Sequence, residues 1–160
     1  MGSKAMNELT RRCLTQMAIA TFLCGAGAPI SVAADDGQQT ARVALGGYDP
    51  VAYFVDGRPV KGLPAFSFTF DDAVYYFASA EHQKMFAADP DRYAPQYSGH
   101  CAAALSMGMK LEVDPQSWAI SNGRLYVFNG KQGSSLFAED SAGIIAKADA
   151  NWAALKAQQH

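Results

Sequence analysis

The dipeptide Asn122-Gly123 constrains this chain more than any other feature, because it stands between two β-prone runs, Trp118-Ala119-Ile120-Ser121 and Leu125-Tyr126-Val127-Phe128. Asn-Gly tolerates the positive φ angles of a type I′ turn, so the flanking runs are expected to fold back on each other as an antiparallel hairpin. A second hairpin follows from Phe66-Ser67-Phe68-Thr69-Phe70, whose alternation of aromatic and hydroxyl side chains is the period of a strand with one buried face. Asp71-Asp72 turns that strand, and Val74-Tyr75-Tyr76-Phe77 returns it. Upstream, the short apolar run over residues 51–55 ends at Asp56-Gly57, another tight-turn signal, and residues 58–63 read as a second extended piece.

Helical segments alternate with these strands. The Ser79 hydroxyl can accept a hydrogen bond from the unpaired amides of a first turn, which predicts a capped helix over residues 80–88, stopped by Asp89-Pro90. Within it His82 and Phe86 lie four apart with Met85 beside Phe86, so one face is largely apolar. Residues 101–107, rich in small side chains, read as a second helix closed by Gly108. Residues 133–139 suit a short third one. From Ala142 onward Ile145, Ala148, Trp152 and Leu155 recur at three and four residues, the mark of an amphipathic C-terminal helix. The expected fold is α+β: a small single domain of short antiparallel strands and hairpins with three to four helices. No internal repeat or low-complexity segment is legible.

The first 34 residues have the order of a cleavable signal peptide. Arg11 and Arg12 form a basic patch, residues 17–24 carry no charge, and Val32-Ala33-Ala34 offers the small residues a signal peptidase reads, which places cleavage after Ala34. The apolar run is too short to span a bilayer. Leu23 before Cys24 argues against a lipoprotein signal. Thr10-Arg11-Arg12-Cys13-Leu14 also resembles a twin-arginine export signal, the alternative being an ordinary signal whose two charges are arginines. The expected organisation is a signal peptide over residues 1–34, a flexible lead-in over 35–44 and one domain over 45–157. Its expected address is the periplasm or the exterior, with no membrane span once the signal is cleaved.

Of 13 basic and 15 acidic residues, cleavage removes Lys4, Arg11, Arg12 and Glu8, leaving a net charge of about −4, which argues against nucleic acid as a partner. Cys13 and Cys24 leave as well. Cys101 is then the one cysteine of the mature chain, so no internal disulfide can form. A lone thiol in an oxidising compartment is expected to be buried, metal-bound or reactive. The sequence carries no Ser-His-Asp elbow, Gly-rich phosphate loop or His-Glu-x-x-His helix, so hydrolase and nucleotide-dependent chemistries drop out.

Gly47-Tyr48-Asp49-Pro50-Val51, Tyr75-Tyr76-Phe77, Ser79, Phe86, Pro90 and Tyr93, continued by Gly99, Cys101-Ala102, Asp114-Pro115, Trp118, Leu125-Tyr126 and Ala148-Asp149-Ala150-Asn151-Trp152, resemble the YHS domain family. The likeness is to its exported bacterial, selenoprotein-like branch, and it spans nearly all of the mature chain. Metal-associated members of the wider family hold a metal through three cysteines; the resemblance puts Ala52, Ala78 and His82 at those positions. An inherited three-thiolate site is thus ruled out. His82 keeps ligand capacity, or serves as an imidazole donating a hydrogen bond at the helix boundary.

Other candidate ligands gather at His100-Cys101, with Met107 and Met109 following. Thiolate, imidazole and thioether form a set that suits copper, and thiolate with imidazole suits zinc. Met107 lies nearly two helical turns from Cys101, so the methionines also read as core or helix-end residues. Two other readings remain open for Cys101. Near a first helical turn it can act as a redox thiol with an external partner thiol, as the selenoprotein-like branch implies, or it can be a buried small residue among alanines. Asp49 reads as a turn cap before Pro50, or as the acidic member of a tyrosine-lined pocket.

Overall fold

The computed structural model describes residues 41–157; the expected signal peptide and cleavage site, the Arg11-Arg12 pair and residues 35–40 of the expected lead-in lie outside the described residues. The order is β1 (Arg42–Val43), a 3-10 turn (Ala44–Gly47), α1 (Ala52–Val55), β2 (Leu63–Phe70), β3 (Ala73–Phe77), α2 (Ala80–Ala88), α3 (Pro90–Tyr93) and a second 3-10 turn (Gln96–Gly99). Then come α4 (Ala102–Ser106), β4 (Asp114–Ser121), β5 (Arg124–Phe128), α5 (Lys131–Glu139) and α6 (Ser141–Ala157). Strands β1, β3 and β2 form one small sheet in that order, and β4 and β5 form another, which makes the fold α+β.

Both expected hairpins form. Asn122 and Gly123 take φ of 51° and 73°, and Asp71 and Asp72 take 47° and 60°, the left-handed pair that matches the twist of the flanking strands. Ser79 caps α2, its Oγ accepting the His82 amide at 3.1 Å, and Gly108 at φ 78° follows the end of α4. Residues 51–55 differ from expectation: they form the helical turn α1, because the Asp49 carboxylate accepts the Val51 and Ala52 amides at 2.8 and 3.4 Å and so caps a helix. The lead-in also ends earlier than expected, since Arg42 and Val43 pair in parallel with Ala73 and Val74.

The chain folds as two copies of one motif, which corrects the expectation of no internal repeat. Each copy opens with a 3-10 turn holding two left-handed residues, Leu45 and Gly46 in the first and Tyr97 and Ser98 in the second. A short helix, α1 or α4, follows. Next comes a hairpin of an 8-residue and a 5-residue strand, β2–β3 or β4–β5, with a register shift between Leu63 and Ser67 in one and between Asp114 and Trp118 in the other. A 9-residue helix, α2 or α5, closes on Asp89 or Asp140, whose carboxylate caps the next helix. Even the parallel partner recurs: Val43 pairs with Val74, and Pro95 bridges Leu125.

Packing repeats with the same fidelity. Phe86 sits 5.0 Å from Tyr75 and 5.1 Å from Phe77; Phe137 sits 5.0 Å from Tyr126 and 5.1 Å from Phe128. Each repeat therefore has its own aromatic centre where a strand and its following helix meet. A third cluster, Leu45 and Tyr53 with Leu125 and Val127, joins the two. Burying apolar surface on both sides of this seam couples the repeats into one unit.

Candidate functional site

Position 49 in the first repeat and position 101 in the second are equivalent, and the contrast between them defines the site. Both follow an extended residue at the exit of a 3-10 turn, Tyr48 or His100. Both donate their amide across a loop, Asp49 to the Val60 carbonyl at 2.9 Å and Cys101 to the Leu111 carbonyl at 3.1 Å. Both side chains then accept an amide at the end of the hairpin: Asp49 Oδ2 takes Ala78 N–H at 2.8 Å, and Cys101 Sγ takes Asn129 N–H at 3.2 Å.

Around Asp49 the polar demand is complete. The carboxylate is fully buried and accepts three amides, those of Val51, Ala52 and Ala78. His82 Nδ1 approaches Oδ2 at 2.7 Å with 14% of its side chain exposed. The contact holds the imidazole ring in one orientation against the carboxylate. Both carboxylate oxygens therefore have hydrogen-bond partners, as a buried polar group requires. Asp49 thus serves as the expected cap, and His82 makes the expected hydrogen bond at a helix boundary. Nothing in the sequence links the two, because they belong to different elements and only the fold brings them together.

Around Cys101 the same geometry is closed by small and aromatic side chains. The residue is 3% exposed, and its sulfur lies against Gly133 of α5, the position equivalent to His82: a Cβ at Gly133 would stand 3.6 Å from Sγ, 3.6 Å from Ala103 Cβ and 3.1 Å from Phe128 Cβ. The tight approach is to Phe128, so a side chain at position 133 would press on that strand residue while meeting the sulfur at ordinary contact distance.

The expected metal ligands stand in different surroundings. Cys101 caps the start of α4 and is buried, while Met107 caps its end with 61% of its surface exposed and Met109 lies beyond it, 46% exposed. His82 is committed to Asp49. His100 turns its ring toward Trp152, 5.9 Å between centroids. Burial, and after it the nearby Arg42 and Lys110 cations, lower the pKa of its imidazole, against the opposing pull of Glu112 and the Leu111 backbone. A nitrogen among cations is a poor place for a metal cation. Among the described residues no three His, Cys, Asp or Glu side chains gather in a way that could hold a metal ion, and no helix is long and apolar enough to cross a membrane. Comparison with models of known families, with curated proteins and with solved structures finds no match.

Proposed function

We propose that the protein is an exported accessory protein of the YHS type that works as a non-catalytic binding module, with Cys101 as a structural thiol. The observation that carries this reading is the equivalence of Cys101 with Asp49: each is the buried acceptor that ties a 3-10 turn to the end of a hairpin. The family assignment has its own support. The backbone amides of Ala52 and Ala78 and the ring of His82, at the positions where metal-associated YHS members carry thiolates, all meet the one carboxylate of Asp49. Three ligands of one metal would likewise have to lie close together, and this proximity supports the family reading.

Two other readings draw less support. A copper or zinc site on Cys101 and His100 would need the sulfur to leave its cover under α5 and the imidazole to leave its cationic surroundings. A redox thiol would need an external partner thiol to reach a residue 3% exposed.

Cys101 is expected to resist an aromatic disulfide reagent in the folded protein and to react fully once the chain is unfolded. Copper(I) and zinc stoichiometry are expected to be unchanged by Cys101→Ser combined with His100→Ala. Fast labelling of the native thiol would reinstate the redox reading, and a metal equivalent lost in the double variant would reinstate the metal one. For export, the protein recovered from the periplasm of a bacterial host is expected to have the mass of a chain beginning at Asp35. Full-length protein confined to the cytoplasm would refute it.

A further inference from the structure

A cleft of about 140 Å³ is lined by residues of β1, the Asp71-Asp72 turn, the segment after α4 and α6, with His100 in its wall. Three cations line it, Arg42, Lys110 and Lys156, against two carboxylates, Asp71 and Asp72. Asp71 is committed on both oxygens, Oδ1 to the Lys156 ammonium at 2.6 Å and Oδ2 to the Ser98 hydroxyl at 2.7 Å. Arg42 and Lys110 then stand against Asp72 alone within the lining. Glu112, outside it, comes only to 3.6 Å from Arg42 Nη1 with its side chain 67% exposed, too far for a hydrogen bond and too wet to offset much of the charge. Among the described residues no carboxylate pairs with Lys110.

A second observation is independent of charge. Among the described residues three buried side-chain nitrogen or oxygen atoms have no hydrogen-bond partner, and two of them, Arg42 Nη1 and His100 Nδ1, belong to residues lining this cleft. The third is the Tyr75 hydroxyl. Folded proteins give nearly all such atoms a partner, so two at one cleft mark a place for one. Arg42 is fixed through its other terminal nitrogen, Nη2 donating to the Ser98 carbonyl, which leaves Nη1 to donate elsewhere. The His100 ring registers its positive surroundings: burial and then Arg42 depress its pKa, with Lys110 adding to them and Glu112 opposing. Trp152 holds the Lys110 and Lys156 ammonium groups 5.1 and 5.5 Å from its ring centre, and a cation–π contact leaves each its charge and its N–H donors. Water can satisfy the two nitrogens but sets no charge against Arg42 and Lys110. An oxyanion does both, since its oxygens accept hydrogen bonds and its charge favours the imidazolium, in which both ring nitrogens donate.

We propose that this cleft binds a small oxyanion, of the phosphate, sulfate or carboxylate kind, whose oxygens accept from Arg42 Nη1 and His100 Nδ1 while Lys110 supplies further charge. The proposal rests on the reading of the protein as a binding module and supplies the class of ligand.

Titration of the purified protein with inorganic phosphate, with sulfate and with acetate, and with sodium chloride alone as the reference, tests it through the histidine ring signals in NMR spectra. At least one oxyanion is expected to shift the His100 signals saturably while those of His82, held by Asp49, stay in place. Chloride is expected to bind more weakly by about tenfold or more, and the tightest oxyanion identifies the kind. Lys110→Gln, at an exposed position, is expected to weaken that oxyanion by about threefold. Asp72→Asn, which removes an opposing charge, is expected to tighten it by a similar factor, and asparagine suits the left-handed backbone at position 72, where φ is 60°. Changes of opposite sign cannot come from a general loss of folding. No saturable shift with any of the three oxyanions, chloride equal to the best of them, or unchanged affinity in both variants would overturn the proposal and leave water as the partner of the two nitrogens. Such a failure with Cys101 still shielded in the native protein would remove the ligand class alone; rapid native labelling of Cys101 is the result that would remove the non-catalytic reading.

Discussion

Asp49→Ala is expected to lower the unfolding free energy by about 3–5 kcal/mol, because it strips the partner from several buried donors at once. The carboxylate is fully buried and serves the Val51, Ala52 and Ala78 amides and the His82 ring. Water has no ready path to replace it, so each donor bears its own desolvation cost. The effect spreads over three places in the fold: the start of α1, the end of β3 and the first turn of α2 lose a common tie. Asp49→Asn is expected to cost less, since one oxygen remains to cap α1 while the amide nitrogen cannot accept from Ala78. Cys101→Ala, at the equivalent position, is expected to cost only about 1–2 kcal/mol, because one amide and one small side chain are involved. Urea denaturation of the three variants checks the ranking. A loss below about 1 kcal/mol for Asp49→Ala would mean that the carboxylate is not the hub the geometry makes it.

Phe86→Ala is the second large loss, expected at about 3–5 kcal/mol from transfer and cavity terms together. Phe86 is fully buried and is ringed by Phe68, Phe70, Tyr75 and Phe77 at 5.0 to 6.0 Å. Collapse around the gap is hindered because four of its neighbours are themselves rigid rings on paired strands. Its counterpart Phe137 meets two rings, Tyr126 and Phe128, so Phe137→Ala is expected to be milder. Both variants are expected to keep one cooperative transition, since Leu45, Tyr53, Leu125 and Val127 join the two repeats through a shared buried cluster. Two separate transitions in either variant would show that the repeats unfold independently.

The parts of the fold legible in the sequence are those governed by neighbours in the chain. Asn122-Gly123 and Asp71-Asp72 supplied left-handed turns, Ser79 supplied its cap, and the Ile145, Ala148, Trp152 and Leu155 spacing marked the buried side of α6. The five-residue apolar run over 51–55 has no decisive period, and the cap that makes it helical is a side chain whose other bonds lie far along the chain. The repeat stayed hidden for a related reason. Phe77, Phe86 and Asp89 match Phe128, Phe137 and Asp140, but at most other positions the two copies carry different residues. Burial and turn geometry constrain only a few positions per copy.

For the site, sequence alone determined that Cys101 would stand without an internal disulfide partner after the expected cleavage, and that Asp49, His82 and His100 deserved attention. Only the tertiary structure decided what they do. It paired Asp49 with His82, laid α5 over the Cys101 sulfur through Gly133, set His100 among Arg42, Lys110 and Trp152, and left Met107 at the surface. A residue's chemistry is carried by its own side chain and can be read in one dimension, whereas its dielectric, its partners and its access to solvent are supplied by segments distant in the chain and exist only once those segments have packed.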